Sequence, residues 1–157
     1  MTTQDKYQTP IPNAEKMRFG IVVSEWNTSI TNALCKATIA SLLLHGAKKK
    51  NIKLIQVPGS FELILGAQLL ANKKNIDAVI CLGCIIKGDT PHFDFISQAV
   101  ASGIANLNIH HNKPVIFGVL TTNNLQQAKD RSGGKHSNKG TEAAITAIQM
   151  TALPRQI

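Results

Sequence analysis

Gly83-Cys84-Ile85-Ile86-Lys87-Gly88-Asp89-Thr90-Pro91-His92-Phe93-Asp94 is the stretch on which the reading of this chain turns. The run from Asp77 to Leu82 feeds straight into it, and a helix-like run follows it. Between them stand two glycines, a lysine, two acids and a histidine. That order describes a buried strand, a polar turn and a helix start. In open α/β sheets, ligands bind beside the carboxyl ends of strands. This turn is therefore expected to form one wall of a site.

Working outward, apolar runs alternate with helical periods. Arg18 to Ser24 is a short β-branched run and reads as a strand buried on both faces. Glu25-Trp26-Asn27 makes a turn, Thr28 or Ser29 caps a helix, and Gly46 stops it. Ile52 to Val57 is a second strand, closed by Pro58-Gly59. Ser60 caps the next helix, with Glu62 in its first turn. Ile76 to Gly83 is the third strand. Phe93, Ile96, Ala99, Val100, Gly103 and Leu107 carry a third helix, ending at His110-His111, where imidazoles complement the helix dipole. Pro114 to Leu120 is the fourth strand, and Thr121-Thr122-Asn123 caps a short helix to about Asp130. A basic, glycine-rich link from Arg131 to Gly140 precedes a last helix, Thr141 to Met150. Strands that alternate with helices argue for one α/β domain with a parallel sheet and helices on both faces.

The 157 residues suffice for one domain with a substantial core. Only 4% are aromatic, so Val, Ile, Leu and Ala must do the packing. Residues 1–16 read as an extended or disordered N-terminal arm, 17–153 as the domain and 154–157 as a tail. The first ten residues lack the apolar segment of a secretory signal, and no apolar run reaches the roughly 18 residues of a membrane span. A cytoplasmic protein is expected. The net charge of +8 is scattered, apart from Lys48-Lys49-Lys50 and Lys73-Lys74, which read as solvated cations where helices end. A basic stripe interleaved with aromatics is missing, which argues against nucleic-acid binding.

Two candidate pieces of chemistry stand out from position. With Thr90 as N-cap and Pro91 at the first helical position, His92 lies in a first helical turn. It is either a proton-transfer group or a surface histidine in a cap. Arg131, Lys135 and Lys139 combine with glycine backbone ahead of a helix, either as a phosphate site or as a flexible basic loop. It is not a P-loop, because Lys129 stands where the first glycine belongs. Cys81 and Cys84 match a redox spacing, but residues three apart on a strand face opposite ways. Trp26 is either core or a ring that stacks on a planar ligand, and Phe61 and Phe117 allow the same two readings.

Pro58-Gly59-Ser60-Phe61-Glu62, Gly88 to Asp94, Phe117-Gly118-Val119-Leu120-Thr121 and the Asp130 to Gly140 link, in this order and spacing, resemble the 6,7-dimethyl-8-ribityllumazine synthase family. The resemblance covers roughly Arg18 to Met150. It implies a flavodoxin-like three-layer α/β/α sandwich on a four-stranded parallel sheet, with the arm able to add a strand to a neighbouring subunit. It implies condensation of 5-amino-6-(D-ribitylamino)uracil with 3,4-dihydroxy-2-butanone 4-phosphate, with no cofactor and no metal. Under it, Trp26 stacks on the pyrimidine, and Ser60, Phe61 and Glu62 hold the ribityl chain and ring. Cys84, Ile85 and Ile86 line the pyrimidine, and Asp89 and Thr90 meet the phosphate substrate. Arg131 binds its phosphate, His92 moves protons, Lys139 assists, and Phe117 comes from the adjacent subunit. It also implies pentamers, twelve of which form a sixty-subunit shell in some members, and names riboflavin synthase as a candidate partner. Lys87 and Glu25 depart from the arginines usual there, and Trp26 replaces a phenylalanine. A non-catalytic flavin or nucleotide module on the same scaffold is the rival reading; it would need Trp26 and the phosphate loop but not His92.

Overall fold

The structure is a computed structural model that describes residues 9–157. Residues 1–8 of the expected arm lie outside the described residues. Four strands form one parallel sheet: β1 (Phe19–Ser24), β2 (Ile52–Val57), β3 (Ala78–Ile86) and β4 (Val115–Thr122), in the order β2-β1-β3-β4. Among the described residues the α-helices are α1 (Thr28–Leu44), α2 (Leu63–Ala71), α3 (His92–His111), α4 (Leu125–Asp130) and α5 (Lys139–Ala152). The expected flavodoxin-like α/β/α sandwich is the fold observed.

The alternation of side chains along each strand sorts the core into two layers. Phe19, Ile21, Val23, Ile80, Leu82 and Cys84 face α1 and α5, meeting Leu34, Leu42, Ala144 and Ile148. Val22, Val79, Cys81, Val115 and Val119 face the opposite way, meeting Leu63, Ala67, Val100 and Ile104 of α2 and α3. Cys81 and Cys84 thus fall in different layers, as their spacing predicts, and all three cysteines are free. β1 is buried along its whole length. β2 is an edge strand and is only partly covered.

Boundaries move where distant pairing overrides local signals. β3 runs on to Ile86, not Gly83, because Cys84, Ile85 and Ile86 pair with Leu120, Thr121 and Thr122 of β4. Its pairing with β1 stops earlier, at Leu82. β4 correspondingly ends two residues later than its apolar run, at Thr122, and begins one later, at Val115. Neither Thr28 nor Ser29 caps α1. Asn27 precedes that helix in a left-handed conformation, φ 59°, which asparagine tolerates better than most residues. Ser60 does not cap α2 either. Residues 60–62 form a turn, and the Glu62 carboxylate accepts the Gly59 N–H at 2.9 Å before the helix begins. Asn124 caps α4 and Asn138 caps α5, each by its side-chain oxygen. Lys139 is therefore helical and not part of the link. Lys48-Lys49-Lys50 does not end α1; Lys49–Asn51 makes a separate 3₁₀ turn into β2, while Lys48 pairs with the exposed Glu15 at 3.0 Å. Within the expected arm, Ala14 is fully buried and its N–H donates to His45 O at 2.9 Å.

Candidate active site

The strand order reverses direction between β1 and β3, and a crevice opens where the connections leave to opposite faces. A cavity of about 380 Å³ lies there, at the carboxyl edge of the sheet. Four chain segments converge on it. The turn after β1 brings Trp26 and Asn27, the turn after β2 brings Ser60, Phe61 and Glu62, and the end of β3 brings Cys84, Ile85 and Ile86. The loop into α3 and its first turns bring Gly88, Thr90, His92, Phe93 and Ile96.

Each group is held by a local cause. Trp26 is 65% exposed, which removes the core reading. Its ring lies against Gly59; a Cβ on that glycine would sit 2.9 Å from the indole. The Trp26 N–H donates to Pro58 O at 3.1 Å, which joins the two turns. Asn27 braces the opposite wall, its Nδ2 donating to Cys84 O at 2.9 Å. Beyond Leu82, β3 has no β1 partner, so its backbone there borders the cavity on that side. Phe61 is half exposed and also lines the cavity. The cavity therefore has flat aromatic walls, a carboxylate, a buried hydroxyl and strand backbone, a lining suited to a planar polar ring with a hydroxylated chain.

His92 is the first residue of α3 and opens into the cavity. Cys84 also lines it, yet it is 3% exposed and burial pushes its thiol up to about 11. Cys81, wholly inside, is pushed up to about 12 by the same cause. Neither is a thiolate nucleophile near neutral pH. Both folded-state values lie above the ordinary 9.0, so the folded chain keeps protons that the unfolded chain releases. This contribution to stability is whole below about pH 9 and is lost as pH rises through 11 to 12. Urea midpoints should therefore fall from pH 8 to pH 10.5, and Cys81→Ala/Cys84→Ala should flatten that decline. An unchanged slope in the double variant would show that other groups govern it.

The remaining expected site residues stand elsewhere. Asp89, Phe117, Arg131 and Lys139 are not among the residues that line the cavity. Phe117 is part-buried on the edge strand β4, packed against the α2 and α3 layer. Arg131 Nη1 donates to Ser137 O at 3.0 Å and to its Oγ at 2.9 Å, and Nη2 donates to Glu142 Oε1 at 3.1 Å. Lys139 Nζ lies 3.5 Å from the other carboxylate oxygen of Glu142. Several of the link's N–H groups are engaged internally. Gly134 N–H donates to Lys129 O, His136 N–H to Asp130 O and Lys139 N–H to Arg131 O. An anion at this place would meet side chains. Among the described residues, no group of three His, Cys, Asp or Glu is placed to hold a metal ion, and no helix is long and apolar enough to cross a membrane.

Asn27, Gly88, Phe93 and Ile96 complete the lining and are absent from the sequence-derived set. For Asn27 the signal was present in its place directly before a helix, where asparagine accepts a left-handed backbone.

Fold, switch-point cavity and aromatic-polar lining are those of an α/β protein that takes small molecules. The profile of the 6,7-dimethyl-8-ribityllumazine synthase family matches residues 16–155. A 6,7-dimethyl-8-ribityllumazine synthase of Cytophaga hutchinsonii is 58% identical over 156 residues, covering 97% of this chain and 98% of the relative. Those of Phocaeicola vulgatus and Bacteroides fragilis are each 55% identical, covering 89% and 85% of this chain and 83% and 94% of the relatives. The chain belongs to the 6,7-dimethyl-8-ribityllumazine synthase family.

Proposed function

We propose that the switch-point cavity is where this chain, a transferase of riboflavin biosynthesis, condenses 5-amino-6-(D-ribitylamino)uracil with 3,4-dihydroxy-2-butanone 4-phosphate. The products are 6,7-dimethyl-8-ribityllumazine, phosphate and water. One observation carries the reading: a single cavity unites Trp26, Ser60 to Glu62, the free edge of β3 and His92. Trp26 stacks on the pyrimidine, and the backbone of Cys84 to Ile86 meets its polar edge. Ser60 and Glu62 hold the ribityl hydroxyls, with Phe61 against the ring. Thr90, with Asp89 beside it, offers backbone to the phosphate substrate. The substrate amine attacks the ketone to give an imine with loss of water, phosphate leaves by elimination, and the ribitylamino nitrogen closes the ring on the remaining carbonyl with loss of a second water. His92 carries the protons these steps exchange. Alignment of two reactive partners supplies much of the acceleration, so one proton carrier beside the reacting atoms suffices.

A second copy of the chain completes the site by lending Phe117, Arg131 and Lys139. Their placement outside the cavity lining of one chain supports this. So does the apolar surface that one chain leaves open: Phe61, Leu65, Leu69, Phe95 and Ile109 are all more than half exposed. The assembly is a pentamer, and twelve pentamers form a shell that can enclose riboflavin synthase.

The test is to mix both substrates with the purified chain and follow lumazine absorbance and phosphate together. Equal molar yields are expected, and a chain that sediments as a fully active monomer would overturn the shared site. Arg131→Ala should raise the KM for the phosphate substrate about tenfold or more, while the KM for the pyrimidine moves little. An unchanged KM for the phosphate substrate would remove Arg131 from phosphate binding.

A further inference from the structure

We propose that Ser24, the last residue of β1, is a positioning residue that orients the Ser60 hydroxyl for the ligand. The inference rests on the reading that Ser60 contacts the pyrimidine substrate. Ser24 is 1% exposed, and its Oγ has no hydrogen-bond partner in the protein. A buried hydroxyl in that state destabilises a fold until it acquires a partner. Its place says which partner. Alternation along β1 puts Ser24 on the same side as Val22, towards α2 and α3. Ser60, in the turn that leads into α2, lies over that side.

Gly83 of β3 sits between them. A Cβ on Gly83 would lie 2.8 Å from Ser60 Oγ, 2.9 Å from Leu63 Cδ1 and 3.4 Å from Ser24 Oγ. The two hydroxyls therefore flank the one space that the glycine keeps clear. Ser60 is only 6% exposed, yet it lines the cavity. Ser60 thus lies between the cavity and the space beside Ser24. A hydroxyl has one proton and two acceptor positions. When Ser24 donates to Ser60 Oγ, the Ser60 proton is left for an acceptor on the ligand. Ser24 touches no reacting atom; it acts through Ser60.

Kinetics of the assembled full-length enzyme test this with Ser24→Ala, Ser24→Cys, Ser60→Ala and the Ser24→Ala/Ser60→Ala pair. Ser24→Ala should raise the KM for 5-amino-6-(D-ribitylamino)uracil about three- to tenfold, the worth of one hydrogen bond, with kcat held within about twofold. Ser24→Cys, a weak donor of nearly the same size, should fall between Ser24→Ala and the parent. The double variant should match Ser60→Ala, because the Ser24 effect passes through Ser60. The melting temperature of Ser24→Ala should hold or rise, since the variant removes an unpartnered buried hydroxyl. An orphan hydroxyl with no role would give that same melting result with unchanged KM, and that outcome overturns the proposal. Multiplying effects in the double variant overturn it as well. If Ser60→Ala itself changes nothing, the placement of Ser60 at the substrate fails first, and this inference with it.

Discussion

Replacing His92 with alanine should lower kcat about ten- to a hundredfold and leave the KM for the pyrimidine nearly unchanged. The expected factor is at the low end for a general acid–base group, because alignment of the substrates persists without it. His92 is the histidine that lines the cavity, and the backbone before it is fixed by Pro91, φ −63°. The ring therefore enters the cavity from a rigid helix start and not from a mobile loop. Steady-state kinetics with both substrates check the assignment. A variant with parental kcat would remove His92 from proton transfer and return it to a surface cap.

Gly140→Ala should cost about 3 kcal/mol or more of stability, at the upper end for overpacking. At Gly140 the first turn of α5 presses on α1. A Cβ there would lie 2.1 Å from the Leu34 carbonyl oxygen, which is backbone and cannot rotate aside. Thr38 Oγ1 stands 2.9 Å from Leu34 O and 3.0 Å from Gly140 O, so its hydroxyl spans the same contact. Pushing the helices apart would also move Lys139 and Glu142, and with them the partner of Arg131. The matched control is Gly88→Ala, where a Cβ would meet nothing within 4 Å. Urea midpoints should separate the two variants widely. Equal midpoints would show that the α1–α5 contact yields without cost.

The fold was legible because three of its strands are short apolar runs flanked by helical periods. β1 and β3 are buried on both faces, so their β-branched residues needed no alternation to be recognised. The end of β3 was harder. Cys84, Ile85 and Ile86 read as the edge of a turn because Lys87, Gly88 and Asp89 follow them. Their strand partners, Leu120 to Thr122, lie far along the chain, and no local signal reports such pairing. The cavity residues from Trp26 to His92 were legible as types at strand ends, and the family resemblance supplied their roles. The Arg131 link was not. Glycines and cations there suggested open N–H groups, while the folded link uses several of them on nearby carbonyls and turns the guanidinium to Glu142. Which acceptor a donor finds is a tertiary fact. Ser60 and Thr90 looked like helix caps, but the residues directly before the two helices are Glu62 and Pro91, because capping is only a local preference.

Asn27 ties the turn after β1 to the end of β3 through one side-chain hydrogen bond, and its own backbone is set in a conformation few residues accept. The Trp26 ring next to it inherits that rigidity. A slot whose two walls are already joined loses little freedom when a ligand enters, so less of the contact energy is consumed in ordering the protein. The first substrate to bind thus meets a receptor that is ready before it arrives. Association should proceed in a single kinetic phase, with no slow isomerisation trailing the encounter.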